Sequence, residues 1–209
     1  MDEESKKRGH ISQAWLVILL AVLYGGALAG VETTLGPRIK QNKKNETLSK
    51  VPQLVPEADR EQTKELIVTS ADGGQRTVYR ALAADGETQQ GWVLPAGGLG
   101  FADRIEVLIG LNTDASTITG LYVLDQKETP GLGNLIADEE LFLHQFADRS
   151  TDRPLVVVKT APDGPDQIRA LSGATISSES VAKIVNEAVA NFRQSLSREA
   201  ATPSRKPEP

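Results

Sequence analysis

Cysteine is absent from the 209-residue chain. That absence removes thiolate-ligated iron–sulfur clusters, CxxCH haem attachment, disulfides and cysteinyl-flavin links together. Histidine is nearly absent too. His10 and His144 stand far apart and make no metal-binding spacing. No surplus of basic residues exists, since the net charge is −5, so a nucleic-acid partner is not expected. Aromatic residues make up 4% of the chain, too few for a platform of stacked bases. Any redox chemistry must therefore come from a cofactor held by other means.

Charge is also missing from one long stretch. Ile11 to Val31 contains no charged residue, and its core reads AWLVILLAVLYGGALAG. As a helix it would reach roughly 30 Å, about one bilayer core. Lys6, Lys7 and Arg8 precede it, and Trp15 and Tyr24 are its amphipathic rings. The expected organisation is an N-terminal tail over 1–10 and a transmembrane helix over 11–31. The alternative is a signal peptide with Ala27-Leu28-Ala29 as its cleavage site. Positive-inside counting is divided: the near flank favours an N-terminus in the cytoplasm, whereas Arg38, Lys40, Lys43, Lys44 and Lys50 follow the span at a greater distance.

Beyond the span, 32–60 reads as a polar stalk or linker with Pro37, Pro52 and Pro56. Residues 61–197 read as one domain. Strands are expected at Leu66–Val68, Thr77–Leu82 and Trp92–Leu94, with a turn at Asp72-Gly73-Gly74 and a glycine-rich bend at 97–100. Arg104–Leu111 and Thr117–Leu124, around the loop 112–116, form the clearest hairpin. Asp138–Phe146 reads as a short helix and Leu155–Lys159 as a strand. In Ser178–Leu196, Val181, Ile184, Val185, Ala188, Val189 and Phe192 recur at helical spacing. The tail 198–209 is expected to be disordered. Antiparallel strands with few helices make the fold class α+β.

Two motifs could carry chemistry. Ser172-Gly173-Ala174-Thr175-Ile176-Ser177-Ser178 brings small residues and hydroxyls to the start of the last helix, where free N–H groups favour an anion. The bland reading is capping, with Ser177 or Ser178 as the N-cap. Glu128-Thr129-Pro130-Gly131-Leu132-Gly133 follows a strand. Its Pro-Gly pair sets a turn, and its glycines would let a flat ligand lie against backbone. The bland reading here is a connecting loop. Lys127 reads as an exposed strand-end lysine, with a role beside a cofactor as the alternative. Asp163, Asp166, Glu139 and Glu140 read as solvated carboxylates. No catalytic acid or base and no metal site is expected.

Taken together, ETPGLG and SGATISS, in that order after the hairpin IEVLIGLN…ITGLYVLDQ and a single N-terminal span, resemble the FMN-binding G subunit of the Rnf ion-translocating oxidoreductase complex. The C subunit of the sodium-translocating NADH:quinone oxidoreductase is a related alternative, and a non-redox envelope protein is the alternative from another class. The resemblance implies an antiparallel-sheet FMN-binding domain behind a transmembrane helix. It implies FMN joined by a phosphoester to Thr175, with Ser172, Gly173, Ala174, Glu128, Thr129, Pro130, Gly131, Leu132 and Gly133 as cofactor contacts. It also implies other proteins of the complex and a flavin transferase as partners, and a single-pass protein of the cytoplasmic (inner) membrane with its domain on the periplasmic side. Where many relatives have a histidine before ETPGLG, this chain has Gln126.

Overall fold

A computed structural model describes the backbone of residues 3–69 and 73–201 and the side chains of 15–69 and 73–198. Two compact units divide the chain, 1–45 and 46–209.

In the first unit the helix α1 (Glu3–Leu54) begins and runs past the expected span without a break. Between Trp15 and Leu54 it contains a window of mean hydropathy 1.9, none of it buried against protein. This helix is long and apolar enough to cross a membrane. The hydroxyls of Thr33 and Thr34 donate to carbonyls of Ala29 and Gly30 one turn back, the pattern an apolar surrounding demands. The helix also continues through the segment expected to be a stalk. A polar run with Pro37 reads as a linker, but charged and amide side chains such as Lys43, Lys44 and Gln41 are good helix formers.

In the second unit six strands form one antiparallel sheet in sequence order: β1 (Asp59–Thr69), β2 (Gln75–Leu82), β3 (Gln89–Leu99), β4 (Arg104–Leu111), β5 (Thr117–Asp125) and β6 (Arg149–Ser150). Alternation along the strands divides the core in two. Trp92, Leu94, Val107 and Ile109 face the helix α2 (Thr175–Ala201), which buries Val181, Ile184, Val185, Val189 and Phe192 against them. Trp92 and Phe192 meet edge to face at 5.2 Å. Val93 and Leu108, one residue out of phase, face the opposite way. There the last turn of α1 and the residues after it, Val51, Leu54, Val55 and Ala58, cover them. The Thr119 hydroxyl donates to the Leu54 carbonyl at the end of α1, satisfying an acceptor that the helix cannot.

Several elements differ from the sequence expectation. β1 is much longer than Leu66–Val68 because its first half, Arg60 to Lys64, is polar and lies at the sheet edge. The glycine-rich bend is part of β3 as far as Leu99. Pro95 is tolerated there because β2 pairs only up to Val93. The turn expected at 72–74 falls partly outside the described residues. Asp138–Phe146 is not an α-helix. Two 3₁₀ turns, Gly133–Ala137 and Leu143–Phe146, flank a hydrogen-bonded turn anchored on Asp138. Phe142, Leu143 and Phe146 are all buried, so the segment packs its apolar side chains inward through a tighter coil than an α-helix.

The strand expected near Leu155 is β7 (Val156–Val158), and it pairs in parallel with β8 (Gln167–Arg169), which the sequence did not announce. The Asn186 side chain on α2 bonds both the N–H and the carbonyl of Leu155, fixing this small sheet to the helix. α2 extends to Ala201, so the tail expected from 198 begins as helix, and 202–209 lie outside the described residues.

Candidate functional site

The two motifs meet. Glu128, 4% exposed, is the junction. Its Oε2 accepts from the Ser177 hydroxyl at 2.7 Å, and its Oε1 accepts from the Ala102 N–H at 3.1 Å. Its own N–H donates to Gln126 Oε1 at 2.7 Å. One buried carboxylate thus ties the β3–β4 turn, the 128–133 loop and the first turn of α2. A buried carboxylate is costly unless its oxygens find donors, and each oxygen here has one. The neighbouring glycines follow from this packing. A Cβ at Gly100 would run into Glu128 Oε1, and one at Gly133 would come within 2.8 Å of Glu128 and 2.9 Å of Ser177 Oγ.

The loops also touch through apolar atoms. Gly173 has φ of +79°, and a Cβ on it would meet Leu132 Cδ2 at 2.9 Å. Only glycine suits both constraints. Gly131 has φ of +75° in the turn, as its place after Pro130 suggests, but the space around it is open.

α2 starts earlier than its amphipathic spacing indicates. Thr175 is its first residue, and the Ser178 N–H already bonds the Ala174 carbonyl. Neither Ser177 nor Ser178 is therefore the N-cap. Both are buried within the first turn. Ser178 Oγ donates to the Ala174 carbonyl and accepts from the Leu171 N–H, while Ser177 holds Glu128. Composition suggested a cap because serine favours that position. In the fold these hydroxyls satisfy buried groups instead.

Thr175 differs from both. It is half-buried, and among the described residues its hydroxyl has no hydrogen-bond partner. Cavities open on two sides of it. The first, about 350 Å³, is lined by Glu128, Thr129, Leu132, Gly133, Gly173, Ala174 and Thr175 together with Phe101, Ile176 and Ser177. Its mouth is apolar: Phe101, Leu132 and Ile176 are 65%, 46% and 53% exposed. The second, about 410 Å³, shares Gly173 and Thr175 with the first and adds Ser172, Lys159 and Arg169. Volumes of this order suit a small molecule.

Seven of the ten residues expected around a cofactor, from Glu128 and Thr129 to Ala174 and Thr175, line the first cavity. Ser172 lines the second, and Pro130 and Gly131 line neither. Phe101, Ile176, Lys159 and Arg169 were not anticipated. Phe101 lies beside Gly100 in sequence, and an aromatic next to a forced glycine was the only available sign.

Lys127 is not part of either wall. Its ammonium pairs with Asp103 at 3.5 Å in solvent. The Asp103 carboxyl is held below the usual range by the Arg104 N–H and then by Lys127. Of the carboxylates set aside earlier, none lines the two cavities, and among the described residues no cluster could hold a metal ion.

Comparison with known proteins gives consistent results. Residues 100–190 match the FMN-binding domain family. The chain is 36% identical over 111 residues to the G subunit of the ion-translocating oxidoreductase complex of Methanosarcina acetivorans, covering 53% of this chain and 55% of that one. It is 35% identical over 132 residues to the G subunit of the proton-translocating ferredoxin:NAD(+) oxidoreductase complex of Clostridium ljungdahlii, covering 61% and 68%. The chain therefore spans about half the length of the first relative and about two thirds of the second. The crystal structure of the C subunit of the Na(+)-translocating NADH-quinone reductase from Parabacteroides distasonis superposes with a TM-score of 0.60 at 22% identity, covering 74% of this chain and 94% of that one. That likeness is one of fold.

Proposed function

The chain belongs to the G-subunit family of ion-translocating oxidoreductase complexes, and from that premise we propose that it is an electron-transfer flavoprotein carrying FMN as a phosphoester on Thr175. The observation that carries this reading is the contrast among three hydroxyls on one helical turn. Ser177 and Ser178 are buried and engaged. Thr175 alone is unbonded among the described residues and stands on two cavities.

The residues present suit the cofactor. An isoalloxazine needs a flat, mostly apolar recess, which Phe101, Leu132 and Ile176 would line. Gly173 keeps the backbone clear beside Thr175. FMN, once bound, supplies one-electron transfer. The chain's part is to hold the ring and to exclude water from one face. Glu128 and Ser177 fix the two loops, so the recess does not depend on the ligand to form.

Attachment is a phosphoryl-group transfer. Thr175 Oγ1 forms a bond to the phosphorus at the FMN end of FAD. The phosphoanhydride bond breaks, AMP leaves, and the hydroxyl gives up its proton. A flavin transferase catalyses this step, and nothing is oxidised or reduced in it.

α1 anchors the domain in the cytoplasmic membrane, with the N-terminal tail in the cytoplasm and the sheet domain outside. Within the complex, electrons pass between ferredoxin and NAD and drive sodium or proton movement. The test of the cofactor reading is colour after acid precipitation of the full chain matured with its transferase. Parental protein keeps its flavin fluorescence in a denaturing gel. Thr175→Ala loses all of it, yet its stability stays within about 0.5 kcal/mol of the parent. Retained fluorescence in that variant would reject the assignment.

A further inference from the structure

Glu128 joins two loops, and it is also a wall residue of the apolar cavity. Its carboxylate lies close behind that wall. Gly133 lines the cavity, and a Cβ on it would come within 2.8 Å of Glu128 Oε2 and 2.9 Å of Ser177 Oγ. Burial leaves little water to screen the charge.

Its hydrogen-bond partners are all neutral. The Ser177 hydroxyl and the Ala102 N–H donate to its two oxygens, and Gln126 accepts from its backbone N–H. Both oxygens accept, as an ionised carboxylate requires. Among the described residues no cation pairs with it. The basic side chains of the adjoining loops are directed elsewhere: Lys127 pairs with Asp103 at 3.5 Å, and Arg104 with Glu106 at 3.7 Å. The recess thus has an uncompensated negative charge set into an otherwise mostly apolar wall.

We propose that the Glu128 carboxylate sets the reduction potential of the flavin, holding it low. The inference rests on the flavin reading of Thr175. An electron placed on the ring adds negative charge there. A fixed negative charge in the wall raises the energy of the reduced ring relative to the oxidised one, and the low dielectric of a buried site strengthens the effect. No bond to the protein forms or breaks; the carboxylate acts through its field alone.

The test is a redox titration of the full-length chain in detergent, matured with its transferase and followed by flavin absorbance at about pH 8, where an ordinary glutamate is ionised. Glu128→Gln removes the charge and keeps the shape. Its amide oxygen can accept from the Ala102 N–H, and its amide N–H can donate to Ser177 Oγ. Its potential should lie above that of the parent, with the ratio of reduced to oxidised flavin raised roughly tenfold at a fixed applied potential. Ser177→Ala takes a donor from the carboxylate and leaves the charge, so its potential should move the other way, below the parent, by a smaller amount. Loosening of the recess alone would move both variants in one direction. An unchanged or lowered potential in Glu128→Gln would overturn the proposal, and so would an unchanged or raised one in Ser177→Ala. If Glu128→Gln takes up no flavin, the direction in Ser177→Ala decides. A parent chain without covalent flavin would reject the flavin reading and this inference with it. A parent that carries flavin, with equal potentials in all three proteins, would overturn this inference alone.

Discussion

The first turn of α2 has an inner and an outer side, and the two put the same functional group to different uses. On the inner side Ser177 and Ser178 spend their hydroxyls on buried partners, Glu128 and the Ala174 and Leu171 backbone. On the outer side the Thr175 hydroxyl faces open cavities, with no partner among the described residues. A hydroxyl already engaged in a buried bond is poorly available for esterification. One held at a helix start by bonded neighbours is fixed in position and still reactive. The inner side thus builds the platform, and the outer side presents the hydroxyl proposed as the attachment point.

Breaking the inner side should cost stability and leave chemistry on the outer side intact. Glu128→Ala leaves the Ala102 N–H and the Ser177 hydroxyl without their acceptor, and we expect a loss of about 2–3 kcal/mol in denaturant unfolding of the full chain. Glu128→Gln keeps the shape and an acceptor oxygen, so its loss should be below about 1.5 kcal/mol. Equal losses in the two variants would show that the charge, and not the junction geometry, matters. Ser177→Ala and Ser178→Ala should each cost about 1 kcal/mol and retain the flavin. Loss of flavin from a folded Ser177→Ala variant would erase the proposed division between the two sides.

The tip of the 129–132 turn, Pro130 and Gly131, lines neither cavity, so a change there should not reach the flavin. Gly131 has a positive φ but open space around it. Gly131→Ala should therefore cost about 1 kcal/mol through backbone strain alone, with an unchanged flavin absorbance spectrum. A shifted spectrum would place this residue against the ring, which its position outside both cavities argues against.

Much of this was legible in the sequence, for physical reasons that can be named. The hairpin β4–β5 and the body of α2 were readable because one face of each is buried, and burial writes its period into the chain. ETPGLG and SGATISS were readable as a pair, since close backbone approach leaves glycines behind. What escaped was set by tertiary contact. The start of α2 was misplaced because Ser177 and Ser178 look like caps until Glu128, 49 residues earlier, is found beside one of them. β8 has a single apolar residue, Ile168, and is a strand only because β7 lies next to it. The polar half of β1 sits at an edge, where no face needs to alternate. The basic wall went unread because Lys159 and Arg169 reach it through that same unannounced strand pair.

The central claim is that FMN is esterified to Thr175 and to no neighbouring hydroxyl. Trypsin should release the segment Ala170–Lys183, cut after Arg169 and Lys183, which holds Ser172, Thr175, Ser177, Ser178 and Ser180 together. Fragmentation of that peptide from chain matured with its transferase tests the claim most directly. The expected spectrum carries the flavin phosphate mass on every fragment that includes Thr175 and on none that excludes it. The same mass on fragments limited to Ser172, Ser177, Ser178 or Ser180, or a peptide with no added mass, would contradict the claim.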